Sequence, residues 1–280
     1  MADGSAQPQT LDAPSSPHAA WRVPIDVAAM AFGLSLWVVC GLAVTLLGGL
    51  LNWITPADRG KRVGQMMIRR IFQIFVGYLR WTDLLRLDAP DLRALRTGHA
   101  SGAILAPNHL ALWDAVFLIA ACPRPACVMK NSILRNPLLG GGARLAGFIP
   151  NQPRGRMLRH AIEAVRSGDT LILFPEGTRA LTDQLLINPL RGGCAIIAAQ
   201  AGAPVFPVFM RSSSRFLEKG WPPWRKPRFP VHVAIDIGQP LTPRDNEKPA
   251  DFTARLQATF EQELARPHRL RRLPARVTAP

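Results

Sequence analysis

The sequence predicts an α/β domain carried behind an N-terminal membrane-seeking segment. Three observations lead there. Residues 27–53, "VAAMAFGLSLWVVCGLAVTLLGGLLNW", hold no charged side chain. From residue 100 onward, short apolar runs alternate with stretches of helical periodicity, the pattern of strands separated by helices. The chain carries a formal net charge of +15 in 280 residues, which points to an anionic partner such as a membrane surface, a nucleic acid or an acidic protein.

Residues 1–24 are rich in small and polar types without hydrophobic periodicity and read as a disordered tail. The apolar run that follows, rising about 1.5 Å per residue, is long enough to cross a hydrocarbon core of about 30 Å. A signal peptide fits poorly, because Asp3, Asp12 and Asp26 precede the run against only Arg22. A spanning helix and a one-sided hairpin bent at Gly48-Gly49 both account for it. Arg59, Lys61, Arg62, Arg69, Arg70 and Arg80 then follow with no acid among them. By the positive-inside rule this places the next domain on the cytoplasmic side of a bacterial-type inner membrane. Val63, Met66, Met67, Ile71, Ile74, Phe75 and Tyr78 recur at helical spacing between those cations, as in a basic amphipathic helix lying among headgroups. Residues 25–82 are therefore expected to form the anchor, 83–265 the α/β domain and 266–280 a basic tail.

Within the domain, strands are expected at residues 102–106, 126–130, 170–174, 204–210 and 231–237. Helices are expected at 111–121, 154–168, 191–201 and about 250–265, with helical turns between 130 and 147. Cys40, Cys122, Cys127 and Cys194 show neither zinc spacing nor a secreted disulfide pattern and read as small buried residues in a reduced compartment. The loop 215–230 mixes Trp221, Trp224 and Phe229 with Arg225, Lys226 and Arg228. It suits either a headgroup contact or a Pro-stiffened loop packed on the domain.

Two short motifs carry chemistry. "LAPNHLALWD" places His109 and Asp114 five positions apart, although composition alone yields about 0.3 such pairs in a chain of this make-up. "LFPEGTR", residues 173–179, delivers Glu176, Gly177, Thr178 and Arg179 at the carboxyl end of a buried-looking strand, the edge where open α/β sheets bind ligands. Thr178 and Arg179 offer donors suited to a phosphate, and Gly177 permits a close approach. A plain turn in which Glu176 pairs with Arg179 is the competing reading. Lys130 and Asn131 read as a solvated strand end, with a place in the lining of the same cleft as the alternative, and His99, His160 and His232 as structural or exposed.

Taken in order, "NHLALWD", "FPEGTR" and "PVFPVFM" resemble three of the four sequence blocks of the glycerolipid acyltransferase family, which includes the 1-acyl-glycerol-3-phosphate acyltransferases. The likeness covers roughly residues 100–240. It implies a mixed central sheet flanked by helices, similar to glycerol-3-phosphate acyltransferase. It further implies His109 as general base on an acceptor hydroxyl, with Asp114 orienting it. Glu176, Gly177, Thr178 and Arg179 would hold the acceptor's glycerol-phosphate portion, and Pro207 would shape the pocket. The donor would be acyl-CoA or acyl carrier protein and the acceptor a lysophospholipid of the membrane, with no cofactor and no metal.

One block departs from that pattern. In "AGFIPNQPRGR", Pro150-Asn151 stand where the family often has Asp-Arg, so a phosphate contact would fall to Arg154 or Arg156 in the first turn of the next helix. These two arginines read equally well as surface residues. The departure keeps open a non-glycerolipid acceptor, such as an amino-acid lipid or an outer-membrane lipid precursor. A basic membrane-binding protein without chemistry is the reading from a different class. Nucleic-acid binding is disfavoured by the single Tyr, the hydrophobic N-terminus and the lack of a recognisable motif.

Overall fold

A computed structural model describes residues 18, 20–54, 56–92, 95, 101–136, 140–179, 187–214, 216–218, 220, 221, 227–268 and 270. After a short 3-10 turn, Ala20–Arg22, two long helices come first: α1 (Val23–Ile54) and α2 (Ala57–Trp81). Strands β1 (Leu85–Asp88) and β2 (Ile104–Pro107) precede α3 (Asp114–Ala121) and β3 (Pro125–Met129). Then come α4 (Asn131–Leu134), α5 (Gly140–Leu145), β4 (Ile149–Pro150), α6 (Arg154–Arg166) and β5 (Thr170–Ile172). The chain continues through α7 (Gly193–Ala201), β6 (Val205–Ser212), β7 (Val231–Ile237) and α8 (Pro249–Ala265).

The seven strands form one sheet in the order β1-β7-β6-β2-β5-β3-β4. Every neighbouring pair is parallel except β6 with β7, so the sheet is mixed. Two apolar cores lie on its faces. One packs Phe75 and Leu79 of α2 and Phe117 and Leu118 of α3 against the sheet. The other packs Ala161 and Val165 of α6, Ile197 of α7, and Phe252 and Phe260 of α8. From β2 the chain crosses to β3 by way of α3, and from β5 it returns past β2 to β6 by way of α7. Right-handed crossovers in opposite directions put their helices on opposite faces. The carboxyl ends of β2 and β5 therefore flank a topological switch point, where a crevice opens.

The helix α1 runs unbroken through Gly48-Gly49, so the bend expected there lies instead at Pro56, from which α2 folds back. Only part of α1 is buried. Its outer side exposes Phe32, Val39, Leu46 and Leu50, while Met30 and Val44 face inward. Trp37 stacks with Phe75 of α2 at 5.8 Å. A buried ion cluster ties α2 to the domain: Lys61 Nζ lies 2.6 Å and Arg124 Nη2 2.9 Å from the carboxylate of Asp169, which has no exposed surface.

Several expectations are corrected. β1 and β4 went unforeseen; β1 is half-buried and β4 only two residues long, too short to show periodicity. The helix expected at 111–121 begins only at Asp114, because residues 108–113 form the loop that carries His109. The described end of the supposed N-terminal tail is ordered by charge. His18 lies 2.7 Å from Asp26 and 3.1 Å from Asp83, one carboxylate at each ring nitrogen. Of the expected basic tail, Leu270 is buried against the domain. Trp221 packs on Phe216, which meets Trp113 edge-on, so this part of the 215–230 loop lies on the domain. Trp224, Arg225, Lys226 and His99 lie outside the described residues.

Candidate active site

The site forms where β2 and β5, adjacent parallel strands, end on the same edge of the sheet. β2 ends at Pro107, and the next residue, Asn108, is buried and continues the pairing with its side chain. Its amide donates to the Met210 carbonyl at 3.0 Å and its Oδ1 accepts the Met210 N–H at 2.6 Å. This lateral staple to β6 fixes the backbone where His109 begins.

Asp114 closes the loop from the other end. Its Oδ2 accepts the backbone N–H groups of Leu110 (2.6 Å) and Ala111 (2.8 Å) and lies 3.0 Å from His109 Nδ1. An ionised carboxylate only accepts, so Nδ1 carries the hydrogen, and in the neutral ring Nε2 is left as an acceptor. The Phe174 ring lies 4.0 Å from the imidazole, tilted by 31°, and restricts its rotation. The His109 side chain keeps 19% of its surface exposed, whereas Asp114 keeps 5%.

Glu176 is the deepest member. Its Oε1 accepts the His109 backbone N–H at 2.7 Å, and its Oε2 accepts the Asn188 N–H at 3.0 Å. Burial raises its carboxyl above the usual value, and the two donated hydrogen bonds oppose that rise. Glu176 thus does not pair with Arg179, whose Nη1 donates to the Leu217 carbonyl at 2.7 Å. Gly177 adopts φ +68°, and a Cβ there would come within 2.8 Å of the Arg191 guanidinium carbon.

His109 lines a cavity of about 700 Å³. Its apolar lining comes from Trp37 and Val44 of α1, Ile68 and Phe72 of α2, Val116 and Ile119 of α3, and Phe148. Its cationic lining comes from Lys130, Arg154, Arg179 and Arg191, together with Gly177 and Thr178. Among the described residues no Asp or Glu lines it. Cys127 and Cys194 also reach the cavity, but burial pushes both thiols up to about 12, so they stay protonated at neutral pH.

Of the residues singled out from sequence, His109, Gly177, Thr178, Arg179 and Arg154 meet around this cavity. Four do not line it, Asp114 among them, held behind His109 by the loop's backbone N–H groups. Glu176 sits behind His109 because both its oxygens are drawn to backbone donors. Arg154 and Arg156 are both exposed, but the helical repeat sets them on different sides of the helix, and only Arg154 borders the cavity. Pro207 is buried in β6, paired in register with Ala106 of β2, where it shapes the sheet rather than the cavity wall. Lys130 is a lining residue rather than a plain strand end. Asn108, Phe174 and Arg191 were not singled out. Asn108 had a signal in its place between a strand and the His, while Arg191 had none. No group of three or more metal-ligating side chains occurs among the described residues.

An acyltransferase family model matches residues 90–211, the span from the turn after β1 to the end of β6. Over that span the chain is similar to the acyltransferase family. Among its relatives is the chloroplastic 1-acyl-sn-glycerol-3-phosphate acyltransferase of Brassica napus, 23% identical over 220 residues. That match covers 75% of this chain and 62% of the Brassica protein, so the chain spans less than two thirds of that relative. A lyso-ornithine lipid O-acyltransferase of Rhodobacter capsulatus is 36% identical over 94 residues, 32% of this chain and 33% of that one. The crystal structure of the 1-acyl-sn-glycerophosphate acyltransferase of Thermotoga maritima superposes with a TM-score of 0.61 at 18% identity. It covers 90% of this chain and 99% of that one, a likeness of fold.

Proposed function

We propose that this acyltransferase moves a fatty acyl group from a thioester, acyl-CoA or acyl carrier protein, to the hydroxyl of a 1-acyl-sn-glycerol-3-phosphate-like lysophospholipid. The observation that carries the reading is His109, its Nδ1 held 3.0 Å from Asp114, in the lining of a cavity whose wall is part apolar and part cationic. The apolar part suits an acyl chain. Four cations without a lining acid suit a phosphomonoester rather than an ammonium headgroup.

In this reading Nε2 takes the proton of the acceptor hydroxyl as its oxygen attacks the thioester carbonyl. The tetrahedral adduct then collapses, the C–S bond breaks, and the thiolate leaves with the proton returned from the imidazolium. Asp114 holds the ring and stabilises its charge. A positioned base contributes about 10²–10⁴-fold. Thr178, Arg179 and Arg154 hold the acceptor phosphate with Arg191 and Lys130, while Glu176 positions the His109 backbone.

The helix pair α1–α2 seats the enzyme on the cytoplasmic face of the membrane as a one-sided hairpin. The apolar stretch Val23–Gly48 has a mean hydropathy of 2.2. It keeps contact with the rest of the protein near both ends, at Asp26 with His18 and at Gly48 beside Leu145. A crossing orientation would drag one end of the helix, with the part of the domain held to it, into hydrocarbon.

An assay of purified protein against a lysolipid panel with both donors tests the function. Transfer to 1-acyl-sn-glycerol-3-phosphate that is lost in His109→Ala, with fold and vesicle binding kept, supports it. Full activity in that variant excludes the mechanism. A second reading, an amino-acid lysolipid acceptor, is favoured by Pro150-Asn151 and the Rhodobacter relative. Preference for lyso-ornithine lipid over the phosphate acceptor in the same panel would establish it.

A further inference from the structure

We infer that the outward face of α6 is the docking surface for an acidic acyl carrier protein, which delivers the thioester to the cavity from the side away from the bilayer. The inference rests on the acyl-transfer reading and adds to it which donor is held and where.

Arg156, Arg159 and His160 are exposed on α6 and make no hydrogen bond or ion pair with other described residues. Arg166, whose Nη2 also donates to the Gln200 carbonyl, continues the basic face further on, and Glu163, the one acid of the helix, lies among them. Three arginines against one carboxylate leave this face net positive, complementary to an acidic partner. From Arg156 to Arg166 the cations extend over about 15 Å of helix. That spacing matches a row of carboxylates on a protein surface rather than the compact phosphates of a nucleotide.

Position selects the partner. Residues of α6 pack into the core on one face of the sheet, while α2 and α3 pack into the core on the other. The exposed apolar side of α1, which belongs to the bilayer, is on that second side, so α6 looks toward the cytoplasm rather than toward headgroups. The helix also begins at the site: Arg154, Met157 and Leu158 on its inner side line the cavity. A carrier bound along the outer side of α6 thus has its acyl thioester within reach of the cationic mouth, and the acceptor lipid enters from the helical hairpin.

The test compares donors on the full-length enzyme in lipid nanodiscs, with palmitoyl-acyl carrier protein and palmitoyl-CoA and the same lysolipid acceptor. Arg159→Glu, and Arg156→Glu with Arg159→Glu, are expected to raise KM for the carrier donor roughly 10-fold and 100-fold respectively. The kcat and the KM for palmitoyl-CoA should stay within about twofold, which also reports an intact fold. Equal rises for both donors, or no change for either, would overturn the docking surface. So would a loss of vesicle binding in step with activity, which would assign the face to the membrane. Turnover of palmitoyl-CoA but not of the carrier donor in the unmodified enzyme defeats this inference alone. Turnover of neither donor defeats the acyl-transfer reading beneath it.

Discussion

The backbone N–H of His109 donates to Oε1 of Glu176 at 2.7 Å, across 67 positions of sequence. Two loops that leave adjacent parallel strands are thereby joined beneath the imidazole. The second carboxylate oxygen reaches on to Asn188, so three segments meet at one buried group. Glu176 is then a strut under His109 rather than a ligand in the cavity.

Replacing Glu176 by Gln leaves one acceptor oxygen and turns an amide donor toward a backbone N–H. The expected result is a kcat lower by roughly 10–100-fold with little change in the acceptor KM, because the base is misplaced while the cavity lining is kept. Steady-state kinetics read this directly. A raised KM at full kcat would mean that Glu176 touches the acceptor after all.

The same residue makes a pH prediction. Burial raises the Glu176 carboxyl above its ordinary value of 4.5, so the native state holds this proton more tightly than the unfolded chain does. Its contribution to stability is therefore full below that value and is lost as pH rises through the higher native one. Denaturant unfolding of the native sequence and of Glu176→Gln at a series of pH values measures the difference. The native sequence should lose stability relative to the variant over that window, and the gap should level off above it.

Gly177→Ala meets two obstacles. At φ +68° a Cβ is strained by about 1 kcal/mol, and it would press on the Arg191 guanidinium 2.8 Å away. A fall in Tm of a few degrees is expected together with a raised acceptor KM, since Arg191 must move off its place at the cavity. A variant with lowered Tm and unchanged KM would remove Arg191 from acceptor binding.

Arg179→Ala and Arg191→Ala should each weaken a phosphate-bearing acceptor by about 1.5–3 kcal/mol, the worth of a hydrogen bond to a charged group. The same substitutions should matter far less for an acceptor without phosphate. Arg156→Ala, which lies off the cavity, should leave the acceptor KM alone. Kinetics on paired acceptors at two salt concentrations separate these cases, because the charge-dependent part shrinks with ionic strength.

The legible parts of this protein were those whose physics is local. His109 and Asp114 lie within one loop, and the contact between them closes over five positions. The apolar run of α1 and the basic stripe of α2 follow from residue type and helical period. Less legible were residues whose role depends on direction. Glu176 was visible as part of a motif, but a motif does not tell which way a carboxylate turns when two backbone donors compete for it. Arg154 and Arg156 were equal candidates until the helix set one at the cavity and the other off it. Arg191 carries no mark in the sequence and enters the site only because the chain after β5 returns past Gly177. His18 sat in a stretch of tail-like composition, yet Asp26 and Asp83, brought together from α1 and the turn before β1, hold it from both sides.

From the sequence alone came the class of fold, the membrane-seeking N-terminus, the family resemblance and the His–Asp pair. Each depends on periodicity, composition or spacing along the chain, which a one-dimensional reading preserves. The tertiary structure alone decided that Glu176 supports His109 from behind, that Arg191 and Lys130 join the cavity, and that α6 and the α1–α2 hairpin look out from opposite faces of the sheet. Those outcomes depend on strand order and crossover direction, which bring residues tens of positions apart to one edge and leave no trace in the local pattern.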